Sequence, residues 1–297
     1  MIVEQRLATN GLMSIGVGKP PEEIQTRETA ESAPKAETKT QKALEFFGWD
    51  LSGTSVDDMK QFEDHSVAVA VEYFGGFGLT GKRAKVIYRE DPSMFGRKYI
   101  EDIADRYFFE LDDKHVEKAV LDVEERLSAQ LGEALSSTAG VMGKLNENEI
   151  KQFICTNERK ADTLRKLEYA NLLQFFDLGA VIGSDSGGSG RLSKGEPQLR
   201  KVAEHFGEDY DNFRVRAGYI GDTTRDIEVM MPCGLRLLIG VADIATDVAR
   251  MIRAGSSLPL DRFRVIKVDE YDHIVSYIEL INRQEESTLF AAPKPAL

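Results

Sequence analysis

Residues 46–58 read FFGWDLSGTSVDD, a short apolar run that ends at Asp50 and is followed by polar residues typical of turns. A short run of this kind, rich in aromatic residues, is typical of a strand buried in a sheet. Asp50 would then lie at the carboxyl end of that strand, which is where parallel sheets bind their ligands. The stretch therefore predicts a buried strand that presents a carboxylate to a site.

Similar apolar runs, each ending near polar or acidic residues, recur in the second half of the chain. They are KQFICTN at 151–157, LGAVIGSD at 178–185, RAGYIGDT at 216–223, LRLLIGVA at 235–242 and FRVIKVD at 263–269. Helical patterns separate several of these runs, and such alternation predicts an α/β fold with a Rossmann-like parallel sheet covered by helices on both faces. Besides Asp50, the predicted strand ends present Thr156, Asp185 and Asp222.

Between the first strand and the later ones the pattern is helical. In residues 111–135, apolar side chains recur every three or four positions from Val116 to Leu135, behind Asp112 or Asp113 as N-cap, which predicts one long helix. Residues 97–111 predict another. We therefore expect a helical cap domain at 61–137, inserted into a core made of 44–60 and 138–286.

The two ends of the chain differ from the predicted core and cap. Residues 1–43 contain no aromatic residue and lack apolar periodicity, so this segment cannot offset its ordering entropy by burial. We predict a disordered N-terminal extension at 1–43, which could recruit a protein partner, and a flexible tail at 287–297.

Overall charge excludes several classes of partner. The chain has 297 residues and a net charge of -12, whereas nucleic acids and anionic membranes are bound through basic surfaces. No run of about 18 apolar residues is present to span a bilayer.

Cys155 and Cys233, the two cysteines, lie in apolar stretches and predict buried free thiols. We expect a cytoplasmic protein that binds neither nucleic acid nor membrane.

Four short motifs occur in a recognisable order: FFGWDLSGTSVDD, FICTN, LSKGEP and YIGDTTRD. Together they resemble the motifs of the haloacid dehalogenase-like hydrolase superfamily, whose first motif is an apolar strand followed by Asp-x-Asp-Gly-Thr. The helical insert after the first strand resembles the first cap type of that superfamily. The resemblance covers about residues 44–285 and implies a phosphatase or phosphotransferase acting on a small phosphorylated substrate.

The resemblance also implies roles for individual residues. Asp50 would be the nucleophile that forms an aspartyl-phosphate. Mg²⁺ would be held by Asp50, the backbone carbonyl of Ser52, Asp222 and Asp226, the last of which could instead hold Lys194. Lys194 would offset the repulsion between phosphate and Asp50, and the Thr156 hydroxyl would donate a hydrogen bond to a phosphoryl oxygen.

Further implied positions complete the site. The catalytic set is Asp50, Ser52, Thr156 and Lys194, and the substrate-binding set is Thr54, Thr156, Asn157 and Lys194. Thr156 and Asn157 also fit a helix N-cap in TNERK, which is compatible with phosphate binding at the same helix end. Arg83, Arg97 and Lys98 of the cap are candidates for choosing the substrate.

Ser52 departs from the family pattern because it stands where the second Asp is usual. That Asp acts as general acid and base, a contribution of about 10²–10⁴-fold, and the pKa of a serine hydroxyl is far too high for either task. Three functions therefore stay open. They are a magnesium-dependent phosphatase or phosphotransferase, which we favour; a phosphonatase-like C–P hydrolase using a cap lysine, namely Lys60, Lys82, Lys85 or Lys98; and a catalytically impaired binding or regulatory protein.

Overall fold

The computed structural model of the protein describes residues 42–90, 96–108, 112–135, 137–188 and 190–290. Nearly all of the predicted extension at 1–43 and most of the predicted tail at 287–297 lie outside these residues. The strands are β1 (Phe46–Trp49), β2 (Val56–Asp57), β3 (Glu133–Ala134), β4 (Lys151–Cys155), β5 (Val181–Ile182), β6 (Ala217–Gly221), β7 (Leu237–Val241) and β8 (Phe263–Ile266).

Helices connect and flank these strands. They are α1 (Met59–Phe74), α2 (Gly81–Glu90), α3 (Arg97–Tyr107), α4 (Asp113–Ser128), α5 (Thr138–Glu147), α6 (Lys160–Tyr169), α7 (Glu196–Phe206), α8 (Tyr210–Arg214), α9 (Thr224–Met230), α10 (Ala245–Ala254) and α11 (Asp272–Phe290). Short 3₁₀ turns occur at Gly75–Phe77, Leu173–Phe175, Leu178–Ala180, Met231–Cys233 and Val268–Glu270. No helix of the described residues is both long and apolar enough to cross a bilayer.

The main sheet has the strand order β5-β4-β1-β6-β7-β8, and all of its strand pairs are parallel. The prediction of a parallel α/β sheet is therefore confirmed. Strands β2 and β3 form a separate antiparallel pair. Because β1 lies between β4 and β6, the chain segments that follow these three strands leave the sheet side by side.

Strand β1 is buried on both faces, which explains its continuous apolar sequence. Phe46 packs in one core cluster, whereas Phe47 and Trp49 pack in another on the opposite face. Each fully buried aromatic side chain of this size stabilises the fold by roughly 1.5–3 kcal/mol. Gly48 lies between Phe47 and Trp49 in the chain. A glycine is needed there because a Cβ would come within 2.2 Å of the Phe153 ring on β4.

Trp49, the single tryptophan of the chain, is fully buried at the end of β1. Its indole N–H donates a 3.0 Å hydrogen bond to Oε1 of Gln152. The Gln152 amide in turn donates to Met142 O and to Asn146 Oδ1. The residue before Asp50 is thus held by a fully buried ring and a side-chain hydrogen bond.

Helices α1 to α4 share a hydrophobic cluster of their own, built from side chains such as Phe74, Tyr99, Ile103 and Val120. They correspond to the predicted cap, whose exact boundaries stay a prediction. Helix α3 agrees with the expected pattern. The predicted long helix is wrong beyond Ser128, since α4 ends there and Gly132 passes against β2, where a Cβ would be 2.7 Å from Asp57 O.

Helix α6 begins later in the chain than an N-cap at the start of TNERK, residues 156–160, implies. It begins at Lys160 with Arg159 as its N-cap residue, so the prediction of an N-cap at Thr156 or Asn157 is wrong. The Asp185 side chain, from the loop after β5, accepts a hydrogen bond from the Lys160 N–H at 2.8 Å. Cys155 and Cys233 are buried free thiols, as predicted.

Candidate active site

The carboxyl ends of β1, β4 and β6 bring together three of the predicted site residues. Asp50 follows β1, Thr156 follows β4 and Asp222 follows β6. The Asp50 N–H donates to Ile220 O at 2.9 Å, which continues the β1–β6 ladder to the nucleophile candidate. The predicted convergence at this edge of the sheet therefore follows from the strand order.

Asp50, Asp222 and Asp226 form a trio of carboxylates whose oxygens, one from each, lie within 4.8 Å of one another. Burial, and secondly the charge of Asp226, raise the pKa of Asp50 to about 7. Burial and the charge of Asp50 likewise raise the pKa of Asp222 well above its usual value. Closely spaced carboxylate oxygens are the donor set that a hard divalent cation prefers, so the trio fits a metal site.

Lys194 is the positive group in contact with the trio. Its Nζ lies 2.7 Å from Asp50 Oδ1 and 2.6 Å from Asp226 Oδ1, and its side chain is only 5% exposed. Burial acts to lower the pKa of Lys194, but Asp226 and Asp50 together raise it above its usual range. The charge of this lysine is therefore directed at the nucleophile candidate instead of at solvent.

Two glycines allow the backbone to approach this closely. Gly195, directly after Lys194, has φ of +107°, a conformation that other residues rarely adopt. A Cβ on Gly221 would come within 2.5 Å of the Asp226 side chain. The start of α9 can therefore lie against the end of β6, which places Asp226 beside Asp50.

Asp226 uses both of its oxygens within the protein. Oδ1 accepts from Lys194, and Oδ2 accepts from the backbone N–H and the hydroxyl of Thr223 at 3.0 and 2.6 Å. Thr223 accepts in return from the Asp226 N–H, which completes a capping box at the start of α9. Of the two roles expected for Asp226, the observed contacts are those of a residue that holds Lys194.

The remaining predicted residues differ in their surroundings. Thr54 donates to Asp222 Oδ1 at 3.0 Å, so its hydroxyl orients a member of the trio. Thr156 is buried, and its hydroxyl accepts from the Glu158 N–H at 3.2 Å. Asn157 is exposed and lines a cavity beside the cap.

Ser52 joins a buried cluster that the sequence motifs did not predict. Its Oγ lies 2.7 Å from Glu158 Oε1 and 2.9 Å from Asp58 Oδ2, and its single proton can be donated to one of them at a time. Lys166 Nζ lies 2.8 Å and 2.9 Å from the same two oxygens. We call Asp58, Glu158 and Lys166 the Lys166 cluster.

In the Lys166 cluster the ammonium and the Asp58 carboxylate are fully buried, whereas the Glu158 side chain is 22% exposed. The Lys166 side chain is completely buried, and its Nζ lies 4.9 Å from the centre of the Phe62 ring. Burial raises the pKa of Glu158, although Lys166 and Ser52 act against that rise. Burial alone would lower the pKa of Lys166, but Glu158 and Asp58 raise it above its usual value.

One sequence signal could have revealed this lysine. Thr163, Lys166, Leu167 and Ala170 are all buried and follow the three-and-four spacing of a helix face. A lysine inside such a stripe is unusual, because lysine is almost never fully buried unless it is paired. The pattern identifies the lysine but not its partners, which lie 8 and 108 residues earlier in the chain.

A cavity of about 1210 Å³ lies between the cap helices and the loops of the sheet. The cap contributes Arg97, Lys98 and Leu121 to its lining, and the core contributes Asn157, Glu158 and Arg191. Arg191 also reaches across to the cap, with Nη1 3.7 Å from Glu124 Oε1. Arg97 shares that carboxylate at 3.1 Å and is therefore already engaged, whereas Lys98 is exposed.

Comparison with known proteins gives a result for the fold. No family model and no curated protein matches the chain. Among solved structures, a haloacid dehalogenase-like family hydrolase from Streptococcus pneumoniae is similar, with a TM-score of 0.58, 14% identity, and coverage of 79% of this chain and 98% of that one. The chain has a haloacid dehalogenase-like fold.

Two further structures support this assignment of the haloacid dehalogenase-like fold. A HAD family hydrolase from Deinococcus radiodurans, with bound phosphate and sodium, has a TM-score of 0.53 and 16% identity, covering 81% of this chain and 98% of that one. A predicted phosphatase from Clostridium acetobutylicum has a TM-score of 0.55 and 18% identity, covering 78% and 99%. At these identities the likeness concerns the fold, and the roles of single residues rest on the geometry above.

Proposed function

We propose that the protein is a magnesium-dependent phosphatase or phosphotransferase that acts on a small phosphorylated metabolite through an aspartyl-phosphate on Asp50. The observation that supports this most is the buried contact of Asp50 with Lys194 inside the carboxylate trio. A carboxylate in that place has a fixed ammonium beside it and neighbouring carboxylate oxygens that could hold a metal, and an attack on a phosphate dianion needs such positive charge. Phosphate bound to the Deinococcus radiodurans hydrolase agrees with an oxyanion site in this fold.

The proposed reaction assigns a task to each side chain. An Asp50 oxygen attacks phosphorus, the bond to the leaving oxygen breaks, and the phosphoryl group is transferred to Asp50. Lys194 offsets the repulsion between the two anions, and Asp226 holds that ammonium in place. Asp50 and Asp222 would hold Mg²⁺, and the ion would supply positive charge that offsets the charge of the transferred phosphoryl group.

Removal of one metal ligand tests the metal site. We expect Mg²⁺ at a hundredfold excess over its Kd to raise the melting temperature by about 5–10 °C. Binding at that concentration adds about 2.7 kcal/mol to the free energy of unfolding, and each kcal/mol raises the melting temperature of a protein of this size by about 2–4 °C. Asp222→Asn should lose this shift, because an amide is a weaker ligand for Mg²⁺. Differential scanning fluorimetry with and without Mg²⁺ measures the shift in melting temperature for the wild-type protein and for Asp222→Asn.

Asp243 provides the matched control for that substitution. It also follows a strand, β7, but its carboxylate accepts from the Val268 N–H and lies outside the trio. Asp243→Asn should therefore keep the full Mg²⁺ response. An unchanged shift in Asp222→Asn would argue against a metal held by Asp50 and Asp222.

The aspartyl-phosphate itself can be tested with a mimic. Crystals soaked with Mg²⁺ and beryllium fluoride should show density for a trifluoroberyllate group whose beryllium is bonded to an Asp50 oxygen, near Lys194. Density elsewhere, or none at Asp50 in well-diffracting crystals, would contradict a nucleophilic Asp50.

The phosphonatase-like alternative depends on a desolvated cap lysine, and Lys98 is the candidate placed at the cavity. Its exposure does not supply the desolvation that such a lysine needs. Lys85 lies 3.6 Å from Asp64 in an exposed ion pair. We therefore favour a phosphate ester as the substrate.

We also propose a cytoplasmic location, because the two cysteines are buried and form no disulfide.

A further inference from the structure

The Ser52 hydroxyl is in contact with a carboxylate that also reaches the cavity. Ser52 follows Asp50 by two residues, and its Oγ lies 2.7 Å from Glu158 Oε1. Glu158 also lines the cavity between cap and core, so this carboxylate connects the Ser52 hydroxyl with the cavity. The arrangement offers a proton path where the family's usual Asp is missing.

We propose that Glu158 is the proton acceptor for hydrolysis of the aspartyl-phosphate, and that the Ser52 hydroxyl relays the proton to it. This proposal rests on the proposed function, because it concerns the second half of the same reaction. Ser52 does not act as an acid or a base in its own right. It takes up one proton as it gives up another, and so it remains a neutral hydroxyl.

The proposed step is balanced as follows. A water oxygen attacks phosphorus, and the bond between phosphorus and the Asp50 oxygen breaks, which returns Asp50 to its carboxylate form. One water proton moves to Ser52 Oγ, and the original Ser52 proton moves to Glu158 Oε1. Inorganic phosphate leaves with the remaining atoms of water, and Glu158 later releases its proton to solvent or to the next leaving oxygen.

The Lys166 cluster determines the orientation that this relay needs. Lys166 Nζ donates to Glu158 Oε1 at 2.8 Å and to Asp58 Oδ2 at 2.9 Å, so both carboxylates are fixed around Ser52. Glu158 Oε2 is buried and has no hydrogen-bond partner among the described residues. The proton acceptor in the proposed step is Oε1, the oxygen that both Ser52 and Lys166 contact.

The test uses p-nitrophenyl phosphate, whose leaving group departs with little acid assistance. Glu158→Gln preserves the size of the side chain and can still accept from Lys166, but an amide cannot take up the proton. We expect a burst of p-nitrophenol followed by slow turnover, with hydrolysis of the phosphorylated enzyme slowed by about 10²-fold or more. Intact-protein mass spectrometry should show one extra phosphoryl group accumulating.

Ser52 variants separate a relay from a merely structural contact. Ser52→Ala should slow the same step while leaving the Lys166 cluster intact. Ser52→Asp places a carboxylate two residues after Asp50, where the family's Asp is usual. In that background Glu158→Gln should slow hydrolysis of the phosphorylated enzyme by less than about 10-fold, so the effects of the two substitutions should be far from additive. Glu168→Gln on the exposed face of α6 makes the same chemical change away from the site and should behave as wild type.

The outcomes distinguish the relay from the function on which it rests. If neither wild-type protein nor Glu158→Gln releases p-nitrophenol or gains a phosphoryl group with p-nitrophenyl phosphate and Mg²⁺, the proposed function fails and the relay with it. If phosphorylation occurs but Glu158→Gln and Ser52→Ala hydrolyse the intermediate at the wild-type rate, the relay alone is wrong. Additive losses in the Ser52→Asp background would also overturn it. Should Glu158→Gln fold poorly by circular dichroism, Ser52→Ala decides the question.

Discussion

Asp50→Asn should abolish phosphoryl transfer while making the metal-free protein more stable. Loss of the nucleophile removes the aspartyl-phosphate route altogether, and we expect kcat to fall by about 10⁴-fold or more. The gain in stability follows from the carboxylate trio. Asp50 is buried within a few ångströms of two other carboxylates, and an amide there removes one of three mutually repelling charges.

Two measurements on the same variant check this prediction. Phosphate release from p-nitrophenyl phosphate with Mg²⁺ gives the loss of activity, and thermal unfolding in a chelator gives the change in stability. Asp57→Asn, an exposed carboxylate on β2, is the control and should change neither. Retained activity in Asp50→Asn would assign the nucleophile to another residue, whereas lost activity with lowered stability would point to a folding defect.

Lys166→Met should destabilise the protein by about 3–5 kcal/mol, which is the usual cost of removing one partner from a buried ion pair. The substituted methionine fills much of the lysine volume, so little of the loss comes from packing. The cost arises because Asp58 and Glu158 keep their charges in a buried place without the ammonium that both contact. Urea denaturation monitored by circular dichroism measures the change in free energy of unfolding.

Two comparisons show whether charge is the cause. Lys201→Met removes an exposed lysine that pairs with Glu204 and should cost no more than about 1 kcal/mol. The triple variant Lys166→Met, Asp58→Asn, Glu158→Gln removes the charges together and should recover a large part of the loss. If the triple variant is less stable than Lys166→Met alone, repulsion between the two carboxylates is not the source.

The strands of the main sheet could be predicted because most of them are buried apolar runs with a polar end, although β8 is only partly buried. β1 and β6 deliver Asp50 and Asp222 to one edge, and this consequence of parallel topology needs no knowledge of side-chain contacts. The ends of the helices were harder to predict from the sequence. The apolar spacing from Val116 continues past Ser128, yet the chain leaves the helix there in order to pair β3 with β2. Such pairing is a tertiary event that periodicity does not encode.

The Lys166 cluster shows the limit of motif reasoning at the site. Motifs single out residue types at fixed spacings, and they drew attention to Ser52 because it departs from the pattern of the resembled family. The three members of the Lys166 cluster come from the start of α1, the loop after β4 and the middle of α6, and no local spacing relates them. Lys194 was expected at the site from its motif, but its burial between two carboxylates depends on the approach of α9 to β6.

Trp49 gives this protein a built-in optical reporter. As the single tryptophan, it accounts for the whole indole emission, and its ring is buried one residue before Asp50. A change of charge at Asp50 alters the electric field across that ring without any added label. Metal binding, phosphorylation and hydrolysis should each be visible as a change in fluorescence, on the timescale of a single turnover.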